Sequence, residues 1–389
     1  MKYISAMKMD KHFSYSSPSY IFIRVDFSGG MLGSKNDRPM LHSNITLKDF
    51  LRSTMNPNSF FKWTGPLSDW EQQVTYLEGL QFPINLAEGR GLFQTDLHTP
   101  NPEPALSLTH PGVVEQSNFN TLNGFHLQVM GGRQILLFDY STNMYPYPNI
   151  HRSYSYSQVL LEENAVEPKI LFPEFQNYRP YEVHLQPGEL LYIPAFWYAR
   201  YASTTLSLSL SVHSESEIEK GLSSIYWKKL PLGLTNNDRD IRIAVVELYL
   251  RYLIKDSFHS WGYKDFLEFL YVSRYRSLYP SSYFESGKGN VAYKHLKCPV
   301  EDDSEIADNN SALEVMLELH DEKFKEALPI FQKLADEART EIRSVAAPVE
   351  VIRGFLYDYT EELVRWAIGP DKVMVYLYKC SKQITTDQK

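Results

Sequence analysis

The chain has little of several things that would point directly to a function. Only two cysteines occur in 389 residues, Cys298 and Cys380. Their Lys-Cys-Pro and Lys-Cys-Ser surroundings lack metal-ligand spacing, so a zinc module and a disulfide framework are excluded and a reducing compartment is expected. Long apolar runs are missing: the longest lie near Ile241–Leu253 and Val373–Tyr378, short of the roughly 20 residues a membrane helix needs. Basic residues are outnumbered 39 to 47, and the net charge of −8 argues against a general nucleic-acid binder. Absent too are a Gly-x-Gly-x-x-Gly turn, a phosphate-cradling Gly-Lys-Ser/Thr loop and a Gly-x-Ser-x-Gly elbow. The start carries three lysines but no apolar core, so no secretory signal is expected, and it is poor in arginine for a mitochondrial presequence.

What remains is an ordinary globular composition, 43% hydrophobic and 22% charged, with an unusual aromatic share of 14% led by 27 tyrosines. Tyrosine suits half-buried strands, where the ring packs and the hydroxyl finds a partner.

The pattern changes near residue 215. Before it, short runs of Ile, Val, Phe and Tyr alternate with Pro, Gly and Asn clusters. Ser19–Phe27 alternates as a strand, and Thr46–Ser53 reads as a short helix with Thr46 as its N-cap. Further strands are expected within His126–Tyr140, broken at Gly131-Gly132, and at Leu190–Ile193 and Leu206–Val212. Strands without intervening long helices imply an antiparallel sandwich or barrel. After Ser214 the period becomes helical, over Asp238–Lys255, Asp265–Tyr275, Ser311–Arg343 (interrupted at Pro329) and Pro348–Ala367. A loop is expected from Tyr279 to Asn310, with a solvated acidic stretch at Glu301–Glu305.

Two segments carry a resemblance. The first is Val183-His184-Leu185-Gln186-Pro187-Gly188-Glu189-Leu190-Leu191-Tyr192-Ile193-Pro194-Ala195-Phe196-Trp197-Tyr198-Ala199. The second is Asn118-Phe119-Asn120 followed by Leu127-Gln128-Val129-Met130-Gly131-Gly132-Arg133-Gln134-Ile135-Leu136-Leu137-Phe138. Both resemble the jumonji-C family of iron- and 2-oxoglutarate-dependent oxygenases, over residues 19–215, with Tyr76–Glu78 and Leu92–Pro100 similar to the segment before that family's core. The resemblance implies a mainly β plus α fold. A double-stranded β-helix (a cupin or jelly-roll barrel) spans 15–215, and a helical C-terminal region spans 216–389.

Non-haem iron of this kind needs two His and one carboxylate on one face. Alignment with the family puts these ligands at Asn118, Asn120 and Ala199, none of which suits iron(II). The family's co-substrate lysine falls on Arg133, and its assisting hydroxyl falls on Glu115, whose charge repels a dicarboxylate. Arg133 is expected either to hold a small carboxylate or to pair with Glu115. Among other histidines, His110 reads as a loop residue and His184 is near only in sequence. His126 shares the parity of Asn118 and Asn120 and is expected to line the pocket. His213-Ser214-Glu215 lies beyond the place of the family's last ligand.

These residues lead to the expectation of a non-enzyme without metal or cofactor, binding other proteins as a scaffold or subunit of a larger assembly. The C-terminal helices would offer a homodimer surface, and neither membrane insertion nor general nucleic-acid binding is expected. The expected compartment is intracellular and cytoplasmic, with mitochondrial and nuclear alternatives open. Two other readings stay open: an iron-dependent protein or RNA hydroxylase or demethylase with unrecognised ligands, and a metal-free dicarboxylate sensor.

Overall fold

The computed structural model describes residues 8–9, 45–56, 60–66, 104–151, 154–159, 171–226, 228, 230–231, 239–254, 262–285, 298 and 322–381. The expected strand at Ser19–Phe27, the segments Tyr76–Glu78 and Leu92–Pro100, and the acidic stretch Glu301–Glu305 lie outside the described residues. The chain divides into two compact units, one of residues 1–144 and 155–219, the other of 145–154 and 220–389.

Among the described residues, the two larger sheets of the first unit are built from nine strands: β1 (Lys62–Pro66), β2 (Ala105–Thr109), β3 (Asn118–Phe119), β4 (Asn123–Met130), β5 (Arg133–Phe138), β6 (Tyr181–Leu185), β7 (Leu190–Ile193), β8 (Tyr198–Ser203) and β9 (Ser207–Ser214). They form a four-stranded sheet in the order β3-β8-β5-β6 and a five-stranded sheet in the order β1-β2-β9-β4-β7. Every pairing within these two sheets is antiparallel. This is the expected antiparallel architecture, with helix α1 (Leu47–Ser53) beginning directly after Thr46.

Alternation places one set of side chains inside. From the four-stranded sheet, Ile135, Leu137, Leu185 and Ala199 pack with Ile193 into an aliphatic cluster, each at most 5% exposed. In β9 the sequence Ser-Leu-Ser-Leu-Ser-Val-His puts Ser207, Ser209, Ser211 and His213 on one face and Leu208, Leu210 and Val212 on the other. The β4–β5 hairpin depends on Gly131: its φ is +71°, and a Cβ there would lie 2.0 Å from the Leu206 carbonyl oxygen.

The strand β8 was absent from the expected set, which had read this stretch only as aromatic. Its Tyr198-Ala199-Arg200-Tyr201 sequence has no clean alternation, because both of its faces are covered.

The second unit contains most of the helices: α2 (Glu217–Tyr226), which straddles the boundary, α3 (Arg239–Ile254), α4 (Tyr263–Arg274), α5 (Ser281–Glu285), α6 (Glu322–Ser344), α7 (Val349–Ile368) and α8 (Val373–Ser381). One expectation is corrected. Pro329 lies inside α6 without interrupting it, since a proline removes one intrahelical bond and the remaining turns keep theirs. The short run Val373–Tyr378 is a buried helix of its own, started by Gly369-Pro370.

Buried charges lock this unit. Arg274 donates to Asp358 at 2.6 Å and to Glu361 at 2.7 Å, and Glu361 also accepts from the Tyr275 hydroxyl and the Asn149 backbone N–H. Burial pushes the Glu361 carboxyl up, against the pull of Arg274. The two cysteines, expected as separate thiols, are joined: Cys298 and Cys380 form a disulfide across 82 residues. Their flanking sequences carry no sign of this pairing, which tertiary proximity alone decides. No helix among the described residues is long and apolar enough to cross a membrane.

Candidate functional site: the barrel interior

Two of the three positions aligned with iron ligands are neighbours: Ala199 on β8 is directly opposite Asn118 on β3. Their chemistry is not that of an iron site. The Asn118 side chain is hydrogen-bonded to the Tyr156 hydroxyl, and Asn120 Oδ1 accepts the Leu122 backbone N–H at 3.0 Å. Ala199 belongs to the aliphatic cluster. Neutral amides already hydrogen-bonded within the protein, beside a methyl group, do not fit iron(II). Among the described residues no group of three His, Cys, Asp or Glu side chains could hold a metal ion. Phe196, three residues before Ala199, has φ +67° and donates its N–H to the Asn120 carbonyl at 2.7 Å.

The polar groups gather elsewhere in the barrel. Arg133, at the start of β5, is 5% exposed. Its Nε donates to Ser207 Oγ at 3.1 Å, and its Nη2 donates to Thr109 Oγ1 at 2.7 Å and Ser107 Oγ at 3.3 Å. No carboxylate among the described residues lies within ion-pair distance of it, and its Nη1 has no protein acceptor there. Glu115 is not its partner: Glu115 Oε2 receives Lys62 Nζ at 2.5 Å. Burial works to raise the Glu115 pKa, yet Lys62 and then Arg133 hold it below the usual carboxylate value.

Two further atoms lack partners. Gln128 Nε2 donates to Met130 O, Gly131 O and Ser207 Oγ, which fixes the amide orientation and leaves buried Oε1 with nothing to accept from. Ser209, opposite Gln128 across the β9–β4 pair, also has an unpartnered buried hydroxyl. Buried polar atoms are nearly always satisfied, so these two call for a water or a ligand.

His126 lines the same interior, as its parity had indicated. Its Nδ1 lies 2.8 Å from Ser211 Oγ and its Nε2 3.0 Å from the Tyr201 hydroxyl. Burial foremost, then His213 and Arg133, lower its pKa to about 3, so the imidazole is neutral at pH 7. Burial likewise lowers His213 and raises the Tyr201 hydroxyl. Tyr201, His126 and Ser211 form a hydrogen-bonded chain in which the neutral imidazole donates from one ring nitrogen and accepts at the other. The Arg133 guanidinium stands 5.9 Å from the Tyr201 ring centroid, joining that chain to the cationic end.

His110 is buried, its Nε2 3.1 Å from the Phe50 carbonyl, and belongs to the core. His184 is exposed and lies 3.5 Å from Glu182. The sequence reading missed Lys62 and the serine face of β9. The strict Ser-x-Ser-x-Ser-x-His alternation was the available signal, since an inward polar row in a barrel strand is a lining.

An antiparallel two-sheet barrel with a polar, cation-bearing interior defines a cupin-type protein. Residues 41–214, a little under half of the chain, match the family model described as Cupin-like domain, and this part of the chain is similar to that family. It is 29% identical over 125 residues to tRNA wybutosine-synthesizing protein 5 of Mus musculus, covering 32% of this chain and 33% of that protein. The Danio rerio protein of the same name is 28% identical over 158 residues, covering 39% and 40%. HSPB1-associated protein 1 of Mus musculus is 32% identical over 94 residues, covering 24% and 19%. The matches therefore span less than half of each relative. Among solved structures, KdgF from Halomonas sp. is 13% identical with a TM-score of 0.18, covering 32% of this chain and 78% of that one.

These relatives correct one expectation. Loss of the iron ligands had implied a non-enzyme, but relatives from mouse, zebrafish, chicken and human are named for a synthesis. The physical reason is that replacing three ligands removes one chemistry from one end of the barrel. It leaves buried Arg133 and the Tyr201–His126–Ser211 hydrogen bonds in place.

Proposed function

We propose that this chain is an enzyme of the cupin-like class whose reaction chamber is the barrel interior and whose substrate is anchored through a carboxylate on Arg133. The observation that carries this reading is Arg133 itself, a buried guanidinium bonded only to neutral hydroxyls, with Nη1 free of protein acceptors among the described residues. A buried charge without a counter-charge costs several kcal/mol, and a carboxylate docking on a guanidinium supplies strong, directional bonds. Gln128 Oε1 and Ser209 Oγ add an acceptor and a hydroxyl for the rest of the molecule. The Tyr201–His126–Ser211 chain is the proton-handling group beside it. No step is assigned to iron, because the residues at the family's ligand positions do not fit it.

Thermal unfolding of the full chain with millimolar 2-oxoglutarate, glutarate, butyrate and 4-oxopentanoate tests the anchor. A ligand at a hundred times its Kd stabilises by about 2.7 kcal/mol. At least one of these carboxylates is expected to raise the Tm of the wild type and to leave Arg133→Met unmoved. Equal shifts in both proteins would remove Arg133 from the site.

A second reading, an RNA substrate, is favoured by the tRNA in the relatives' names. Incubation with bulk tRNA followed by nucleoside mass spectrometry tests it: an altered nucleoside supports it, and an unchanged profile with no tRNA retained by the protein removes it.

A further inference from the structure

The chamber's charge count restricts what can occupy it, an inference that rests on the reading of Arg133 as a carboxylate anchor. Among the described residues, three formal charges face one another there: Lys62 on β1, Glu115 before β3 and Arg133 on β5. Lys62 and Glu115 form a pair at 2.5 Å and cancel. The other titratable neighbours among the described residues are His126 on β4, His213 on β9, Tyr201 on β8 and Tyr156, all held neutral by burial before anything else. One guanidinium is left over.

We propose that the chamber takes a ligand bearing a single carboxylate, and that Glu115 is the specificity-determining residue that turns dicarboxylates away. It does so twice. It occupies Lys62, the only other cation facing the site among the described residues, and it adds a negative charge that repels a second carboxylate.

The far end of the barrel points the same way. Arg133 is opposite Ser203 and Leu137 is opposite Ala199, so the two ends are four residues apart on one strand, roughly 13 Å. A second carboxylate reaching from Arg133 towards Ala199 would meet Ile135, Leu137, Ile193 and Leu185 and lose its hydration without a partner. A phosphate dianion fits no better, since it brings two charges to one cation.

Isothermal titration of the full chain with 4-oxopentanoate and 2-oxoglutarate separates the possibilities, because the two differ by a methyl group in place of one carboxylate. The expected result is tighter binding of 4-oxopentanoate by about tenfold or more, lost for both in Arg133→Met. Glu115→Gln frees Lys62 and is expected to shift the ratio towards 2-oxoglutarate by about tenfold. If that variant does not fold, the double variant Lys62→Met with Glu115→Gln removes both charges and is expected to keep the preference for 4-oxopentanoate. Wild-type binding of 2-oxoglutarate as tight as 4-oxopentanoate, or of inorganic phosphate tighter than either, overturns the single-charge inference and leaves the anchor standing. Binding of no carboxylate at all overturns the anchor, and this inference with it.

Discussion

Ala199 faces Asn118 across the β3–β8 pair, and Ala199 next faces Leu137 on its other side. Three strands thus meet where an iron would sit in the family, with a methyl group, an amide and an isobutyl group at the meeting point. The scaffold is intact while the donor atoms are not.

Restoring donors should therefore restore metal. The triple variant Asn118→His, Asn120→Asp, Ala199→His is expected to bind cobalt(II) or iron(II) at least about tenfold more tightly than the wild type, since two imidazoles and a carboxylate complete a facial set. Optical titration with cobalt(II) reads it directly. The metal-free variant should also be less stable, because the Ala199→His change would place a polar ring among Ile135, Leu137 and Ile193. Unchanged cobalt affinity in a folded variant would mean the three positions do not converge.

The stability of the barrel should fall as the solution is acidified from neutrality, and His126 should be one cause. Its folded pKa, near 3, lies below the unfolded value near 6.5. Between these values the unfolded chain binds the extra proton, so stability is full above pH 6.5 and declines as pH falls towards 3. The slope approaches about 1.4 kcal/mol per pH unit for one fully shifted histidine. His213, lowered in the same direction, adds to it. Urea unfolding at pH 7.0, 6.0 and 5.0 is expected to give a shallower decline in His126→Gln than in the wild type. Parallel declines would place the imidazole in contact with water.

Arg274 should be among the most costly residues to truncate in the helical unit. Arg274→Met leaves Glu361, which is 0% exposed, without its cation. Removing one partner of such a pair costs about 3–5 kcal/mol. Double substitution of Arg274→Met and Glu361→Gln should recover part of the loss, and chemical denaturation of the three variants measures the coupling. A loss below about 1 kcal/mol in the single variant would show that Glu361 protonates at no cost.

Reduction of the Cys298–Cys380 bond should destabilise the same unit. Closing a chain separation of 82 residues contributes up to about 4–5 kcal/mol in the loop-entropy account. Thermal unfolding with and without dithiothreitol, and of Cys380→Ala, is expected to give a common lower Tm. Identical curves in all three would show that the bond is not formed in solution.

The barrel was largely legible in the sequence because short apolar runs bounded by turn residues mark strands. Strands were expected within His126–Tyr140 and at Leu190–Ile193 and Leu206–Val212 from apolar runs broken by Gly and Pro, and β4, β5, β7 and β9 lie there. Tyr198–Ser203 escaped because both of its faces are covered and no alternation results. Loss of the iron donors could likewise be read from residue identity, since no placement makes a methyl group a ligand.

Which polar residues work together was decided by tertiary structure. Glu115 lies near in sequence to Asn118, yet its partner is Lys62, 53 residues away; Arg133 reaches Ser107, Thr109 and Ser207 from across the barrel. Residue type sets what each side chain can donate or accept, and alternation sets which face it takes. Closure of two sheets decides which inward side chains meet, because charge pairing and hydrogen bonding depend on distances of about 3 Å, and chain separation does not determine those distances. That is why the residue types were available beforehand, while the lack of a carboxylate beside Arg133 among the described residues emerged only once the two sheets had closed.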